Sequence, residues 1–138
     1  NAAEFRAHKA LVGAMARANV DLLAGSDATP GMYAIPGFAL HRELELLVEA
    51  GVTPAGALRA ATINAARYLG ATDSLGTVAP GKRADLVLLD ADPLDDIRHT
   101  RRIHAVIAAG RLLDRGALDR LLADAERAAT APPGADVR

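Results

Sequence analysis

The sequence has no cysteine and no tryptophan, and only 3% of its residues are aromatic. Without cysteine there is neither a disulfide framework nor a thiolate metal ligand, and this composition fits a reducing compartment, so we expect a cytoplasmic protein. Hydrophobic residues make up 51% of the 138-residue chain. Since so few of them are aromatic, a core must be built from alanine, leucine, valine and isoleucine.

A large charge of one sign and long apolar runs are absent as well. Sixteen basic residues balance 17 acidic ones, for a net charge of −1, and neither sign forms a block. We therefore expect no nucleic-acid partner. The longest apolar runs, residues 86–89 and 105–109, are far too short to span a bilayer, and no signal peptide is visible, so we expect no membrane partner.

The most informative stretch is residues 20–29, an apolar run that stops abruptly at Gly25-Ser26-Asp27. Such a run is typical of a buried strand that delivers a carboxylate to the loop at its C-terminal end, which is where α/β enzymes keep their catalytic groups. Asp27 is therefore a candidate functional residue. The alternative is an ordinary turn or helix-capping aspartate. The glycine- and proline-rich loop that follows, within residues 30–37, is expected to form a pocket wall.

Apolar spacing predicts the remaining elements. Thr53 followed by Pro54 is typical of a helix N-cap and first position, and Gly51 is expected to end the preceding helix. Pro80-Gly81 predicts a turn ahead of a strand-rich region. The predicted helices cover residues 2–18, 38–50, 54–61 and 63–69 and a last segment around Leu118–Ala125; the predicted strands cover 84–90, 102–108 and 111–113; residues 128–138 are predicted to be a disordered tail.

Six stretches follow one another along the chain: Ala-Gly-Ser-Asp ending at Asp27, residues 40–51, Thr-Pro-Ala-Gly-Ala-Leu at 53–58, and residues 61–70, 75–82 and 84–90. In this order they resemble the last barrel unit of the amidohydrolase superfamily. The resemblance covers about residues 1–115 and is nearest to the branch of imidazolonepropionase-like hydrolases and metal-dependent Xaa-Pro dipeptidases.

The resemblance implies an α/β fold: the C-terminal end of a (β/α)8 TIM barrel plus the C-terminal half of a small β-sandwich domain. Residues 20–26 would be the eighth barrel strand. On this basis residues 1–70 form the last βα unit of the barrel, residues 71–115 form part of the β-sandwich, and residues 116–138 form the C-terminal helix and tail.

The resemblance also implies a metal site. In the family, the aspartate after strand eight, here Asp27, ligates one ion of a mono- or binuclear site, which we expect to be zinc, and accepts a proton from the attacking water. The other ligands come from strands one, four, five and six, upstream of residue 1. We therefore expect part of a metal-dependent amidohydrolase that cleaves an amide or other C–N bond, and no activity from the isolated chain.

The chain has four histidines, and no two of them have His-x-His spacing. His8, His99 and His104 are expected to be solvated or packing residues. His41 lies in the first turns of the helix after the predicted catalytic loop, so it is a candidate to contact substrate or to orient the loop. The alternative is a partly buried structural histidine bonded to backbone. Tyr33, in the loop itself, is a similar candidate.

Other motifs have ordinary interpretations. The glycines at 76 and 81 do not have the spacing of a phosphate-binding loop. The acidic cluster after the first predicted strand lacks the spacing, the glycine and the terminal glutamate of an EF-hand, so we expect it to mark the end of that strand. Its members are Asp90, Asp92, Asp95 and Asp96.

Two alternatives stay open at this point. The chain is either part of an enzyme, completed by an N-terminal barrel segment in the same or another chain, or a non-catalytic fragment or interaction domain that retains the scaffold. An open strand edge at residues 20–24 would favour self-association into a homo-oligomer. The substrate class also stays open among cyclic amides, dipeptides and deaminase substrates, because barrel specificity is set by loops from several strands.

Overall fold

A computed structural model describes residues 1–28 and 35–130. This part of the chain is a mixed α/β structure with a helical N-terminal half and a small sheet. Within it, no helix is long and apolar enough to cross a membrane. The elements in chain order are α1 (Ala2–Arg17), α2 (Phe38–Glu49), α3 (Pro54–Ala60), α4 (Ile63–Tyr68), β1 (Leu86–Leu89), a 3-10 helix (Ile97–Arg101), β2 (Ile103–Ala108), β3 (Arg111–Leu113) and α5 (Arg115–Thr130).

The helix boundaries follow the capping chemistry of the sequence. The Thr53 hydroxyl accepts a hydrogen bond from the Gly56 amide, with Pro54 at the first helical position, which confirms the predicted start of α3. The α2 helix ends one residue earlier than predicted, and Gly51 follows its C-cap with a φ of +99°, a conformation that favours glycine. By contrast, α2 begins after Gly37 with no side-chain cap.

The core lies where α2, α3 and the 3-10 helix meet. Leu44 and Leu47, from the predicted apolar stripe of α2, are buried there. The α1 helix packs against the end of α2 so closely that a Cβ atom at Gly13 would overlap the Ala50 carbonyl oxygen. The buried cluster consists of Leu44, Leu47, Val52, Ala57, Ala60 and Ile97.

The sheet is antiparallel in the order β1-β2-β3, with Leu86 opposite Ile107 and Ile107 opposite Leu112. All three strands lie inside their predicted ranges. Helix α5 packs against β2 and β3 and continues to Thr130. The predicted tail is therefore wrong for residues 128–130, which are helical, while residues 131–138 lie outside the described part of the chain.

The predicted buried strand at residues 20–26 is not formed. Val20 and Leu23 are each 45% exposed, and the segment pairs with no strand of the described residues. Among the described residues, one backbone–backbone hydrogen bond joins it to a later element, from the Ala24 amide to the Ala60 carbonyl oxygen at 3.1 Å. A strand requires a second strand to complete its ladder, and the described residues place none beside this segment.

Candidate functional site

The site residue predicted from the sequence, Asp27, lies at the end of the irregular segment formed by residues 20–28. It is exposed, and its φ of +47° places it in the left-handed region, which aspartate enters more readily than most non-glycine residues. Asn19, at the other end of the segment, has a φ of +55°. The segment is therefore bounded at both ends by backbone reversals that short polar side chains tolerate.

Exposure alternates along this segment. Leu22, Ala24 and Ser26 are half-buried, and the first two pack against the core cluster. The residues between them are exposed. This period of two is that of an extended chain with one covered face. The exposed set is Asp21, Leu23, Gly25 and Asp27, so the described helices leave Asp27 uncovered.

Helix α4 anchors the segment through Asn64, whose side chain is buried. The Asn64 amide nitrogen donates to the Leu22 carbonyl oxygen at 3.0 Å, and Arg67 donates to the Asn64 amide oxygen at 3.2 Å. Because guanidinium groups only donate, the Arg67 contact fixes which way the amide points. The position of residues 20–26 thus depends on a side chain more than 35 residues later in the sequence.

A cavity of about 330 Å³ separates Ser26, the neighbour of Asp27, from the first two turns of α2. Burial raises the pKa of the Glu43 carboxyl that lines it. Sequence analysis missed Glu43, although it lies four residues before Leu47 and so borders the apolar stripe of α2. The lining residues are Ser26, Ile35, Phe38, Ala39, Arg42, Glu43 and Leu46.

His41, the second site residue predicted from the sequence, contacts Thr100 of the 3-10 helix and Phe38 of α2. Its Nδ1 atom lies 3.0 Å from the Thr100 hydroxyl oxygen, and its ring meets Phe38 edge-on with centroids 6.3 Å apart. Burial, and next the charge of Arg101, lower the pKa of His41. His41 lines a separate cavity of about 610 Å³ between α2, β2 and α5, and not the one beside Ser26.

The other histidines make local contacts. His8 is exposed on α1. His99 Nδ1 lies 2.7 Å from the Asp92 carbonyl oxygen, and His104 Nδ1 lies 2.9 Å from an Asp90 carboxylate oxygen. In the acidic cluster, Asp92 and Asp96 accept backbone N–H bonds from residues two positions later, as residues that shape turns do. Tyr33 lies outside the described residues.

The donor atoms of residues 1–28 and 35–130 do not amount to a metal site. No three histidine, aspartate or glutamate side chains in these ranges lie close enough together to hold an ion. Catalytic zinc sites usually take three protein ligands. Of the residues predicted for the site, Asp27 alone offers a carboxylate, so the described chain could supply one ligand there.

Comparison with known proteins identifies relatives. The Amidohydrolase family matches residues 7–113. The chain is 47% identical over 83 residues to adenine deaminase 2 of Rhizobium meliloti, covering 56% of this chain and 13% of that protein. It is 32% identical over 106 residues to imidazolonepropionase of Shouchella clausii, covering 75% of this chain and 24% of that protein.

A solved structure has a similar fold over most of this chain. A Xaa-Pro dipeptidase with methionine bound in its active site superposes with a TM-score of 0.66 at 27% identity, covering 77% of this chain and 25% of that one. The chain thus spans a quarter or less of the length of each of these proteins. The resemblance drawn from the sequence motifs is confirmed: the chain belongs to the amidohydrolase family.

Proposed function

We propose that this chain is part of a metal-dependent hydrolase that acts on an amide or other C–N bond, with Asp27 as its site carboxylate. One observation carries the proposal: in a chain of the amidohydrolase family, Asp27 ends a segment whose helix-facing side is covered and whose other side is open. In this proposal, the exposed Asp27 carboxylate faces the space that further strands would enclose. A cytoplasmic location belongs to the same proposal.

The uncovered side of residues 20–26 supports the proposal that this segment belongs to a barrel. We propose that residues 20–26 become the eighth strand of a (β/α)8 barrel when a barrel segment, in the same or another chain, provides the neighbouring strands. Half-burial on one side only is what a barrel strand shows when its helices are present and its flanking strands are absent. In this proposal residues 1–70 form the last barrel unit, and residues 71–115, with the three-stranded sheet, form part of a small β-sandwich.

The residues have separate roles in this proposal. A divalent ion, zinc as one or two ions, would supply Lewis-acid activation of water when bound. Asp27 would hold one ligand position and accept a proton. The other ligands would come from outside the described residues. His41 would orient the loop through α2, and its contact with Thr100 supports this role over direct contact with substrate.

The substrate class stays open between three proposals: a cyclic amide, a dipeptide or an amino-substituted ring that is deaminated. The relatives are named for adenine, imidazolonepropionate and Xaa-Pro dipeptides, so they do not select one of them. Specificity in a barrel depends on the loops after several strands, and this chain contains one of those loops.

The test begins with the intact mass of the protein made from its native gene, compared with the 14.3 kDa of this chain. That protein, loaded with zinc or manganese, would be assayed on adenine, an imidazolone and a Xaa-Pro dipeptide. We expect turnover that falls by about 10²- to 10⁴-fold in Asp27→Asn. The control is Asp21→Asn, which removes an exposed charge from the same face of the segment.

We expect the isolated 138-residue chain to show no turnover above background. Metal-dependent turnover of that chain that disappears in Asp27→Asn would overturn the need for a partner segment. A native product of 14.3 kDa with no completing chain would instead favour the alternative, a non-catalytic fragment or interaction domain.

A further inference from the structure

The first turn of α2 lacks the side-chain cap that α1 and α3 have. Gly37 precedes it with a φ of +81° and no side-chain cap, and no acidic residue lies in the first turn. Helix α1, by comparison, begins with a full capping box between Asn1 and Glu4. Its early amides bond instead to nearby backbone: the Ala39 amide donates to the Ile35 carbonyl oxygen at 2.9 Å and the Leu40 amide to that of Gly37 at 3.3 Å. Side-chain contacts from elsewhere in the fold add to the stability of this turn.

The 3-10 helix provides those contacts. The Arg101 guanidinium lies 4.7 Å from the centroid of the Phe38 ring, within the range of a cation–π interaction. One of its nitrogens lies 2.6 Å from a carboxylate oxygen of Glu45, whose side chain is only 12% exposed. This contact is an ion pair and not a hydrogen bond.

His41 completes the same face of α2, because residues 38, 41 and 45 recur at helical spacing. The Thr100 hydroxyl donates to the Ile97 carbonyl oxygen at 2.9 Å, so its proton is already used and its oxygen must accept from His41 Nδ1–H. His41 therefore carries a proton on Nδ1 and donates it to Thr100. Both of its ring neighbours, Phe38 and Thr100, belong to the contact between α2 and the 3-10 helix.

The first turns of α2 also border the cavity beside Ser26, which Ala39 and Glu43 line together with Phe38. Phe38 thus contacts Arg101 of the 3-10 helix and also lines the cavity beside Ser26. We propose that Arg101 and His41 are positioning residues, through which the sheet-bearing C-terminal half fixes the start of α2 and hence the placement of Asp27. This inference rests on the proposed function of Asp27.

Arg98 provides a matched control. It lies on the same 3-10 helix and has the same charge, but it pairs with Asp96 and its side chain is 73% exposed. Arg101→Gln and Arg98→Gln would be compared in the intact protein, meaning the protein made from its native gene. The two measurements are amide hydrogen exchange and Zn²⁺ affinity, the latter against a chromophoric chelator. Arg101→Lys is the second variant, because it retains the charge but loses the flat guanidinium that stacks on Phe38.

We expect Arg101→Gln to speed exchange at residues 39–41 and to weaken Zn²⁺ binding by about three- to tenfold, less than loss of a direct partner of a metal ligand. Arg101→Lys should fall between it and the wild type, and Arg98→Gln should match the wild type in both measurements. Unchanged Zn²⁺ affinity in Arg101→Gln, with wild-type binding intact, would overturn the positioning role alone. Failure of the wild-type protein to bind Zn²⁺ would overturn the proposed function itself.

Discussion

Two stretches of this chain have nearly the same apolar sequence and opposite outcomes. Asp21-Leu22-Leu23 opens the segment that carries Asp27, and Asp85-Leu86-Val87 opens β1. The second is a strand because β2 lies beside it, with Leu86 opposite Ile107. The first is irregular because the described residues place no strand beside it. Strand formation is thus a property of the neighbour as much as of the sequence.

The difference also concerns the backbone groups. In β1 the groups that face β2 are paired along the ladder, and the preceding Asp85 carboxylate accepts from the Ala109 amide across the sheet. In the Asp27 segment one amide is bonded to Ala60 and one carbonyl to Asn64. Unpaired edge groups of this kind are a template for further strands. The site-bearing segment is therefore the part of the fold that most depends on what lies next to it.

The largest expected effect is on amide exchange, which should differ between the Asp27 segment and β1. Amide exchange at residues 21–25 should be slower in the intact protein than in the 138-residue chain by about 10²-fold or more, since paired strands open only with larger structural units. Exchange at β1 (Leu86–Leu89) should be similar in both. Mass spectrometry of peptides from the two regions measures both rates. Equal protection of residues 21–25 in the two proteins would contradict the account.

A substitution at Gly13 tests the packed side of the comparison. Gly13→Ala places a methyl group against the Ala50 carbonyl oxygen, so the helices must shift, and we expect a loss of about 1–3 kcal/mol in the free energy of unfolding. Gly25→Ala is the control, because nothing lies within 4 Å of its added Cβ atom. Urea denaturation of the 138-residue chain should show little change for Gly25→Ala. Equal losses of unfolding free energy in Gly13→Ala and Gly25→Ala would mean that residues 20–26 are packed on the side described here as open.

Asn64 tests how the segment is held. Asn64→Ala leaves the Leu22 carbonyl oxygen without its partner, and we expect a loss of about 1–2 kcal/mol together with faster exchange at residues 22–24. Ser74→Ala removes an exposed side-chain hydrogen bond to Ala71 and serves as the control, with a smaller loss. Matching losses in the two variants would show that Asn64 does not anchor the segment.

The smallest expected effect is on how the free energy of unfolding depends on pH through His41. Because the pKa of His41 is lowered in the folded state, the unfolded chain binds a proton more readily, and the contribution of His41 is complete above its ordinary pKa of 6.5. It is lost as the pH falls below 6.5 through the folded-state pKa. Urea midpoints at pH 7.5 and 5.0 should therefore differ less in His41→Asn than in the wild type. His8→Asn, at an exposed site, should leave the difference unchanged.

Structural features that depend on residues close together in the chain could be predicted from the sequence. Features that depend on contacts between distant residues could not. The Thr53 cap and the sheet strands follow from residues close together in the chain, and both were predicted correctly. The 3-10 helix and its Arg101–Glu45 pair were not, because those two residues are 56 positions apart and no pattern links them. The Asp27 segment was predicted as a strand from its apolar run, yet its partners are absent from the described residues.

The central claim is that Asp27 becomes part of a metal site only when further strands stand beside residues 20–26. Zn²⁺ titration of the intact protein, its Asp27→Asn variant and the 138-residue chain tests it most directly. We predict saturable binding by the intact protein, binding weakened by about tenfold or more in Asp27→Asn, and none above background in the 138-residue chain. Equal binding by the 138-residue chain, or unchanged binding by Asp27→Asn, would contradict it.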